Sequence, residues 1–137
     1  MGCSNGGYMT LVMAINYPNQ YDAIVPICEA LPDNSISDEQ IDTLKDIPMY
    51  FIYSLDDGVV DPNKHEIPTI HRLKEANASN LHVSTSKHVI DTAKKYFNED
   101  GTPYRYNGHW SWIYFFNNET ADENGVSAFD WIAETMK

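Results

Sequence analysis

Basic residues are scarce in this chain of 137 residues. Nine Lys or Arg stand against 20 Asp or Glu, which gives a formal net charge of -11 with the five His neutral. Nucleic acids and anionic membrane surfaces require a basic face that displaces counterions from phosphate groups. The composition therefore predicts that neither a nucleic acid nor a membrane is a partner.

Long apolar runs and cysteines are also few. The longest apolar stretches, 11–15 and 112–116, fall far short of the roughly 18 residues that a membrane span needs. Two cysteines without C-x-x-C spacing exclude a disulfide-framework protein and a cysteine-rich zinc site. No basic segment leads into an apolar stretch at the N-terminus, so no signal peptide is visible and the localisation stays unknown.

The chain does contain ample material for a core, with 42% hydrophobic and 12% aromatic residues, at a length typical of a single domain. Hydrophobic periodicity predicts helices and strands in alternation. The predicted helices are 8–17, 38–45, 67–77, 89–97 and 126–136, and the predicted strands are 22–28, 49–54, 81–86 and 103–106, with a turn at 98–102. A capping box, Ser37 to Gln40, starts the second helix, and the last helix carries Phe129, Ile132 and Ala133 on one face. This order indicates an α/β chain with a mostly parallel sheet flanked by helices, and a single domain over 1–137.

A G-x-S-x-G motif lies immediately before the first predicted helix, at Gly2 to Gly6. In such a motif the serine sits on a sharp strand-to-helix turn, and the residues two before and two after it come so close that only hydrogen fits as a side chain. Ser4 is then a nucleophile, and the backbone N–H of Asn5 at the helix start points at an oxyanion. The alternative is a glycine-rich surface turn with an ordinary serine.

A nucleophilic serine needs an acid and a histidine later in the chain, each on a loop after a strand. Asp56, Asp57 and Asp61 follow the strand 49–54, and the D-x-x-V register selects Asp57, with Asp56 next. The alternative is an acidic turn that only meets solvent. All three candidate acids lie after Ser4 in the chain, as the order serine, acid, histidine requires.

Five histidines are candidates for the base. His65 and His71 are six residues apart and begin no H-E-x-x-H, while His82 lies inside a strand and His88 follows a Lys. His109 follows a predicted strand and Gly108, and it precedes Trp110-Ser111-Trp112, so a flexible loop presents it beside an aromatic wall. We predict that His109 approaches both Ser4 and Asp57, the alternative being a histidine packed in an aromatic cluster.

At these three places the sequence resembles the α/β-hydrolase superfamily, and within it the prolyl-oligopeptidase-like and polyhydroxybutyrate-depolymerase-like esterases and peptidases. The matching segments are G-C-S-N-G-G-Y-M-T at 2–10, I-P-M-Y-F-I-Y-S-L-D-D-G-V-V-D-P at 47–62 and G-H-W-S-W at 108–112. The resemblance covers residues 2–131. It implies Ser4 as nucleophile, Asp57 as orienting acid, His109 as general base and acid, and Asn5 as an oxyanion donor.

The resemblance also implies an activity and a set of contacts. We expect a serine hydrolase that cleaves carboxylic esters, or short peptides, through an acyl-enzyme, with no metal and no cofactor. Tyr8, Trp110 and Trp112 are expected to line the substrate pocket, and Glu29 to meet a polar substrate group. Two other functions stay open: a non-catalytic fragment or pseudoenzyme that acts as a binding module, and an acyltransferase with the same three residues.

The front of the chain departs from the family. In members of the family the nucleophile turn follows the fifth strand of an eight-stranded sheet, whereas in this chain only Met1 precedes Gly2. We therefore interpret the chain as the C-terminal part of an α/β-hydrolase fold whose N-terminal strands are missing. The expectation is that the turn at Ser4 relaxes and that these residues alone have little esterase activity unless the N-terminal half is supplied in trans.

The positions of the cysteines argue against one subfamily of this group. Gly2-Cys3-Ser4 is similar to tannase-like and feruloyl-esterase-like enzymes, in which a Cys beside the Ser is bridged to a Cys beside the His. Trp110 occupies that second position, so the bridge cannot form. We expect Cys3 and Cys28 to be free thiols at the ends of neighbouring strands.

Overall fold

Four parallel strands form the central sheet of the protein. A computed structural model describes all 137 residues. In chain order the elements are β1 (Gly2–Cys3), α1 (Asn5–Asn16), β2 (Pro26–Ile27), α2 (Asp38–Leu44), β3 (Met49–Ser54), α3 (Glu66–Glu75), β4 (Leu81–Ser86), β5 (Val89–Ile90), β6 (Arg105–Tyr106), α4 (Trp112–Phe116) and α5 (Ala128–Thr135). The strands of the sheet lie in the order β1-β2-β3-β4, all parallel, and β5 and β6 form a separate antiparallel pair. The predicted α/β class is confirmed.

Strand β3 divides the core into two layers. Its six residues are all buried, and successive side chains point to opposite faces of the sheet. Met49, Phe51 and Tyr53 pack in one cluster with the apolar faces of α1, α2 and α3. Tyr50 and Ile52 pack in the other with α4 and α5. Because both faces are covered, the first five residues of the strand are all hydrophobic and show no alternation with polar residues.

Local signals place several elements where the sequence predicts them. The capping box is present at α2, since the Ser37 hydroxyl accepts from the Gln40 N–H and the Gln40 side chain accepts from the Ser37 N–H. Strands β3 and β4 have the predicted bounds. The turn at 98–102 closes through the Asn98 N–H and the Thr102 carbonyl, with Gly101 at a φ of 81°.

The helix predicted at 89–97 is wrong. Residues Val89–Ile90 form β5 instead, and the chain then turns around the Asp91 carboxylate, which accepts from the backbone N–H groups of Ala93, Lys95 and Tyr96. An aspartate that bonds nearby N–H groups offers the backbone an alternative to a helix. Lys94 is also left-handed, with a φ of 55°, which a helix does not accommodate.

Two further expectations need correction. The strand predicted at 22–28 is reduced to β2 and a single bridge between Ile24 and Met49, since Pro26 has no N–H to donate. In α5 the most buried residues are Ala128 and Trp131. Of the predicted face, Ile132 packs against the core, but Phe129 is 39% exposed. The Trp131 indole turns inward because its N–H finds the Asn80 side chain at 2.9 Å.

Both cysteines are free thiols, as the sequence predicts. Cys3 is half-buried and Cys28 fully buried, at the ends of the paired strands β1 and β2. Burial raises the pKa of the Cys28 thiol to about 12, so the group stays protonated at neutral pH. No helix combines the length and the apolar character that a bilayer crossing requires.

Candidate active site

The candidate nucleophile, Ser4, lies on a turn between β1 and α1 that is held on both sides. Its backbone is left-handed, with a φ of 57° and a ψ of -116°, a conformation that costs a non-glycine residue about 1–3 kcal/mol. The Ser4 N–H donates to the Ile27 carbonyl at 2.9 Å, and the Gly2 N–H to the Val25 carbonyl at 3.2 Å. The expectation that this turn relaxes is not met, because two residues of β1 suffice to pair it with β2.

The glycines around Ser4 are required to different degrees. A Cβ on Gly2 would lie 2.2 Å from the carbonyl oxygen of Gly6, and a Cβ on Gly7 would lie 2.8 Å from the Cα of Glu29. A Cβ on Gly6 would meet nothing within 4 Å. The prediction that only hydrogen fits as a side chain at Gly6 is therefore wrong. The glycine that leaves no room for a side chain is its neighbour, Gly7.

The acid candidate, Asp57, follows β3 at the same edge of the sheet as Ser4. One carboxylate oxygen, Oδ1, accepts from the N–H groups of Val59 and Val60, both at 2.9 Å. These two bonds fix the carboxylate plane and leave Oδ2 for the histidine. Asp56 points elsewhere and bonds the side chains of Arg105 and His88. The geometry thus separates two neighbouring aspartates that the sequence left as alternatives.

The histidine candidate, His109, lies in a one-turn 3-10 helix, Gly108–Trp110. The side chain of Asn107 accepts from the His109 N–H at 2.9 Å and starts this turn. A Cβ on Gly108 would lie 2.3 Å from Asp56 Oδ1, so the turn packs directly on the loop after β3. The T-shaped contact with Trp112, whose ring centre is 5.6 Å away, holds the imidazole from the other side.

Ser4, His109 and Asp57 form one continuous hydrogen-bonded chain. His109 Nδ1 lies 2.7 Å from Asp57 Oδ2, and Nε2 lies 2.8 Å from Ser4 Oγ, so the predicted approach of His109 to both residues is met. A carboxylate only accepts hydrogen bonds, so it holds the proton on Nδ1 and leaves Nε2 as the acceptor for the serine hydroxyl. Asp57 is 6% and His109 7% exposed, which limits competition from water for both bonds.

The backbone N–H of Asn5 is free at the first position of α1. It has no acceptor within the protein, as expected for the first turn of a helix. The positive end of the helix dipole adds to the potential at this N–H. The group is therefore available to an anion that forms beside Ser4.

The remaining predicted site residues divide into two groups. Trp112 touches the His109 ring, and Trp110 and Tyr8 are 43% and 38% exposed. Glu29 is fully buried instead: its Oε2 accepts from the Leu31 N–H at 2.6 Å, and α1 covers it at Gly7. The expectation that Glu29 meets a polar substrate group is therefore not met.

Glu29 belongs to a buried acidic pair with Glu66, which is 1% exposed. Glu29 Oε1 and both carboxylate oxygens of Glu66 have no hydrogen-bond partner. Burial raises the pKa of Glu29 to about 8, and burial together with the nearby Glu29 raises that of Glu66 to about 9. Burial and the proximity of the two groups therefore favour the protonated, neutral form of both side chains.

The acidic pair makes stability depend on pH. The ordinary pKa of a glutamate is 4.5, so below that pH the Glu66 carboxyl is protonated in both the folded and the unfolded chain. Between pH 4.5 and about pH 9 the carboxyl keeps its proton only in the folded chain. Stability should therefore fall as pH rises across this window. We expect Glu66→Gln to be more stable than the wild type at pH 8 by roughly 2–4 kcal/mol, measured by urea unfolding at pH 5 and pH 8.

The control for Glu66→Gln is Glu75→Gln at the exposed end of the same helix. Its side chain is 67% exposed and reaches only His71, so it should leave the pH dependence unchanged. The prediction fails if both variants show the same change in the free energy of unfolding between pH 5 and pH 8, or if that of the wild type does not change. Either result would show that Glu66 is ionised in the folded protein.

Sequence reasoning missed the residues that aim the acid and the histidine. Asn107 positions the 3-10 turn, and the dipeptide Asn107-Gly108 was a usable turn signal. The N–H groups of Val59 and Val60, which hold Asp57, carry no sequence signal because every residue except proline has one. No group of three or more His, Cys, Asp or Glu side chains is placed to hold a metal ion.

No protein-family model matches the sequence, and no curated protein matches it. Among solved structures, that of a thermostable esterase is similar to the chain, with a TM-score of 0.67 and 23% sequence identity. The match covers 97% of this chain and 29% of the esterase chain. The sheet order and the flanking helices agree with this likeness, which shows that the chain has part of the fold of that structure.

Proposed function

We propose that the protein is a serine hydrolase that cleaves carboxylic esters, with Ser4, His109 and Asp57 as its catalytic triad. The observation that carries the proposal is the continuous hydrogen-bonded chain from Asp57 through His109 to a serine on a strained turn. The similarity to the fold of an esterase supports this proposal. Because one fold can host many chemistries, the proposal depends on the residues of the site.

In the acylation step Ser4 Oγ attacks the ester carbonyl carbon while its proton passes to His109 Nε2. Asp57 keeps the other ring proton on Nδ1 and stabilises the imidazolium that forms. The carbonyl oxygen becomes an oxyanion, to which the Asn5 N–H donates. When the tetrahedral intermediate collapses, the carbon–oxygen bond to the alcohol breaks, and Nε2 returns the proton to the leaving oxygen.

Deacylation repeats these steps with water as the nucleophile. His109 removes a proton from water, the hydroxyl oxygen bonds to the acyl carbon, and the bond to Ser4 Oγ breaks as Oγ regains its proton from Nε2. His109 transfers the proton in both steps, and the Asn5 N–H stabilises the substrate oxyanion. Short peptides are further candidate substrates, and an alcohol in place of water would make the same triad an acyltransferase.

The proposal is tested by labelling the 137-residue chain with a fluorophosphonate probe. Labelling reports the reactivity of Ser4 directly, even if ester turnover is slow. We expect the modified peptide to contain Ser4, and Ser4→Ala to lose labelling and p-nitrophenyl acetate hydrolysis to the background rate.

The matched control is Ser35→Ala, which removes an exposed hydroxyl in a separate turn. It should label and hydrolyse like the wild type. Labelling that persists in Ser4→Ala would refute the assignment of Ser4 as the nucleophile. A wild-type chain that folds but does not react would show that these 137 residues alone do not form a working site.

A further inference from the structure

Four aromatic side chains surround a hollow on the surface of the protein. They are Tyr96, Tyr104, Tyr106 and Trp110, and the space among them is about 270 Å³. Ligand pockets usually measure roughly 300–1,000 Å³, so the hollow has room for one head group of a small molecule. No other residue lines it, so the lining offers no groove along which a peptide chain could lie.

The rings form walls that face different directions. Tyr104 and Tyr106 meet nearly edge to face, with planes at 72° and ring centres 5.1 Å apart. The Trp110 ring lies 6.1 Å from Tyr106, at 35° to it. Tyr96 packs on none of these rings and forms a separate wall. An occupant of the hollow therefore meets aromatic rings on several sides.

Hydrogen bonds of the backbone hold these walls in place. The Tyr104 N–H donates to the Tyr96 carbonyl at 3.0 Å, and the Asp91 N–H donates to the Tyr104 carbonyl at 2.8 Å. The Asp91 carboxylate accepts from the Tyr96 N–H at 2.8 Å, and the pairing of β5 with β6 fixes Tyr106. The backbone that carries the tyrosines is thus set before a ligand arrives, which reduces the cost of binding.

The charge at the hollow favours a positive occupant. Its lining carries no charged side chain, in a protein whose net charge is -11. The N–H groups of the turn, that of Tyr96 first, hold the pKa of Asp91 below its ordinary value, so this carboxylate is charged at neutral pH. Desolvation and then the Asp91 charge raise the pKa of Tyr106. The same carboxylate that opposes a phenolate at Tyr106 attracts a cation.

The basic side chains of this region leave the hollow free. Arg105 stands between two of the tyrosines in the chain, yet its guanidinium donates to the Asp56 carboxylate at 2.8 Å. Lys95 acts on Asp91 through its charge, but Lys94 and Lys95 are both exposed and neither lines the hollow. The ring faces are therefore available to a cation that comes from outside the protein.

We propose that this hollow binds a quaternary ammonium group, the trimethylammonium head of a small molecule. The negative faces of aromatic rings attract a cation, and several rings around one cation are the usual means of recognising such a group. A quaternary ammonium has no N–H, so a lining of rings leaves no hydrogen bond unmade, as it would for a primary ammonium. The proposal is independent of the proposed esterase activity, because neither Ser4 nor His109 lines the hollow.

Two alcohols of the same shape test the role of the charge. Choline carries a trimethylammonium group, and 3,3-dimethylbutan-1-ol has a neutral carbon atom in place of the nitrogen. In NMR titrations of the 137-residue chain, we expect choline to shift the Trp110 indole N–H resonance and to bind at least about tenfold more tightly than the neutral alcohol. 2-Aminoethanol, a primary ammonium, should bind at least about threefold more weakly than choline.

Variants of the rings test the place of binding. Tyr104→Ala should weaken choline binding at least about fivefold, whereas Tyr104→Phe keeps the ring and should stay within about twofold of the wild type. Tyr96→Ala, at a position that is 57% exposed, should also weaken binding and serves as a second variant if Tyr104→Ala does not fold. The matched control is Tyr17→Ala, because Tyr17 is 54% exposed and lies beyond the far end of α1. This control should bind choline like the wild type.

Three results would overturn the proposal. Equal affinities for choline and 3,3-dimethylbutan-1-ol would show that the hollow selects shape and not charge. Choline binding that is unchanged in Tyr104→Ala or Tyr96→Ala, or no shift of the Trp110 resonance, would show that the hollow does not hold the cation. Tighter binding of a trimethyllysine peptide than of choline would make a protein the partner instead of a small molecule.

Discussion

Replacing Asp57 by Asn is expected to lower the rate of p-nitrophenyl acetate hydrolysis and of fluorophosphonate labelling by roughly 10³–10⁴-fold. The Asn amide nitrogen can occupy the place of Oδ2 and donate to Nδ1 of His109, which moves the ring proton to Nε2. Nε2 then faces the Ser4 hydroxyl with a proton of its own and cannot accept another. The volume of the side chain is unchanged, so stability should fall little.

The matched control is Asp61→Asn, four residues further along the same loop. Its carboxylate bonds only the neighbouring Asn63 and does not reach His109. Both rates should stay within about twofold of the wild type. If Asp57→Asn retained wild-type labelling while Asp56→Asn lost it, the acid would be Asp56 and the hydrogen bond to His109 would have no catalytic role.

Gly2→Ala is expected to be the most disruptive single-methyl change in the chain. The new Cβ would lie 2.2 Å from the Gly6 carbonyl oxygen and 2.8 Å from its Cα, both backbone atoms that cannot rotate away. We expect a loss of about 3 kcal/mol in the free energy of unfolding, since overpacking of this kind shifts the backbone. The displaced Ser4 should also label roughly 10²-fold more slowly.

Gly6→Ala adds the same methyl group on the other side of Ser4 and serves as the control. Its Cβ meets nothing within 4 Å, and Gly6 lies inside α1, where alanine is favoured by up to about 1 kcal/mol. Urea unfolding should show equal or higher stability, with labelling unchanged. Similar losses in Gly2→Ala and Gly6→Ala would mean that the turn is not packed as the structure describes.

Much of the site was predictable because its signals are local in the sequence. The spacing around Ser4 identifies a sharp turn before a helix, and the order of serine, acid and histidine selects Asp57 and His109 from many candidates. The capping box at Ser37 likewise depends on residues three apart. These features were found because the physics that produces them acts over a few neighbouring residues.

Other features depend on groups that are distant in the chain. The segment 89–97 is not a helix because Val89 and Ile90 pair with β6, which follows more than ten residues later, and the Tyr104 N–H donates to the Tyr96 carbonyl. Glu29 was expected to meet a polar substrate group, yet α1 covers it through the close approach of Gly7. Burial of that kind is decided by packing between elements and leaves no local pattern.

Hydrophobic periodicity and short motifs were enough to predict the α/β class, the strand Met49–Ser54 and the three candidate catalytic residues. Packing of the elements places His109 2.8 Å from Ser4 across 105 positions, and it makes Gly7, not Gly6, the glycine with no room for a side chain. Packing also brings the side chains of Tyr96, Tyr104, Tyr106 and Trp110 together around one hollow. The physical reason is that hydrophobic periodicity and capping act between near neighbours, whereas close backbone approaches and hydrogen bonds across the sheet exist only once the elements have packed.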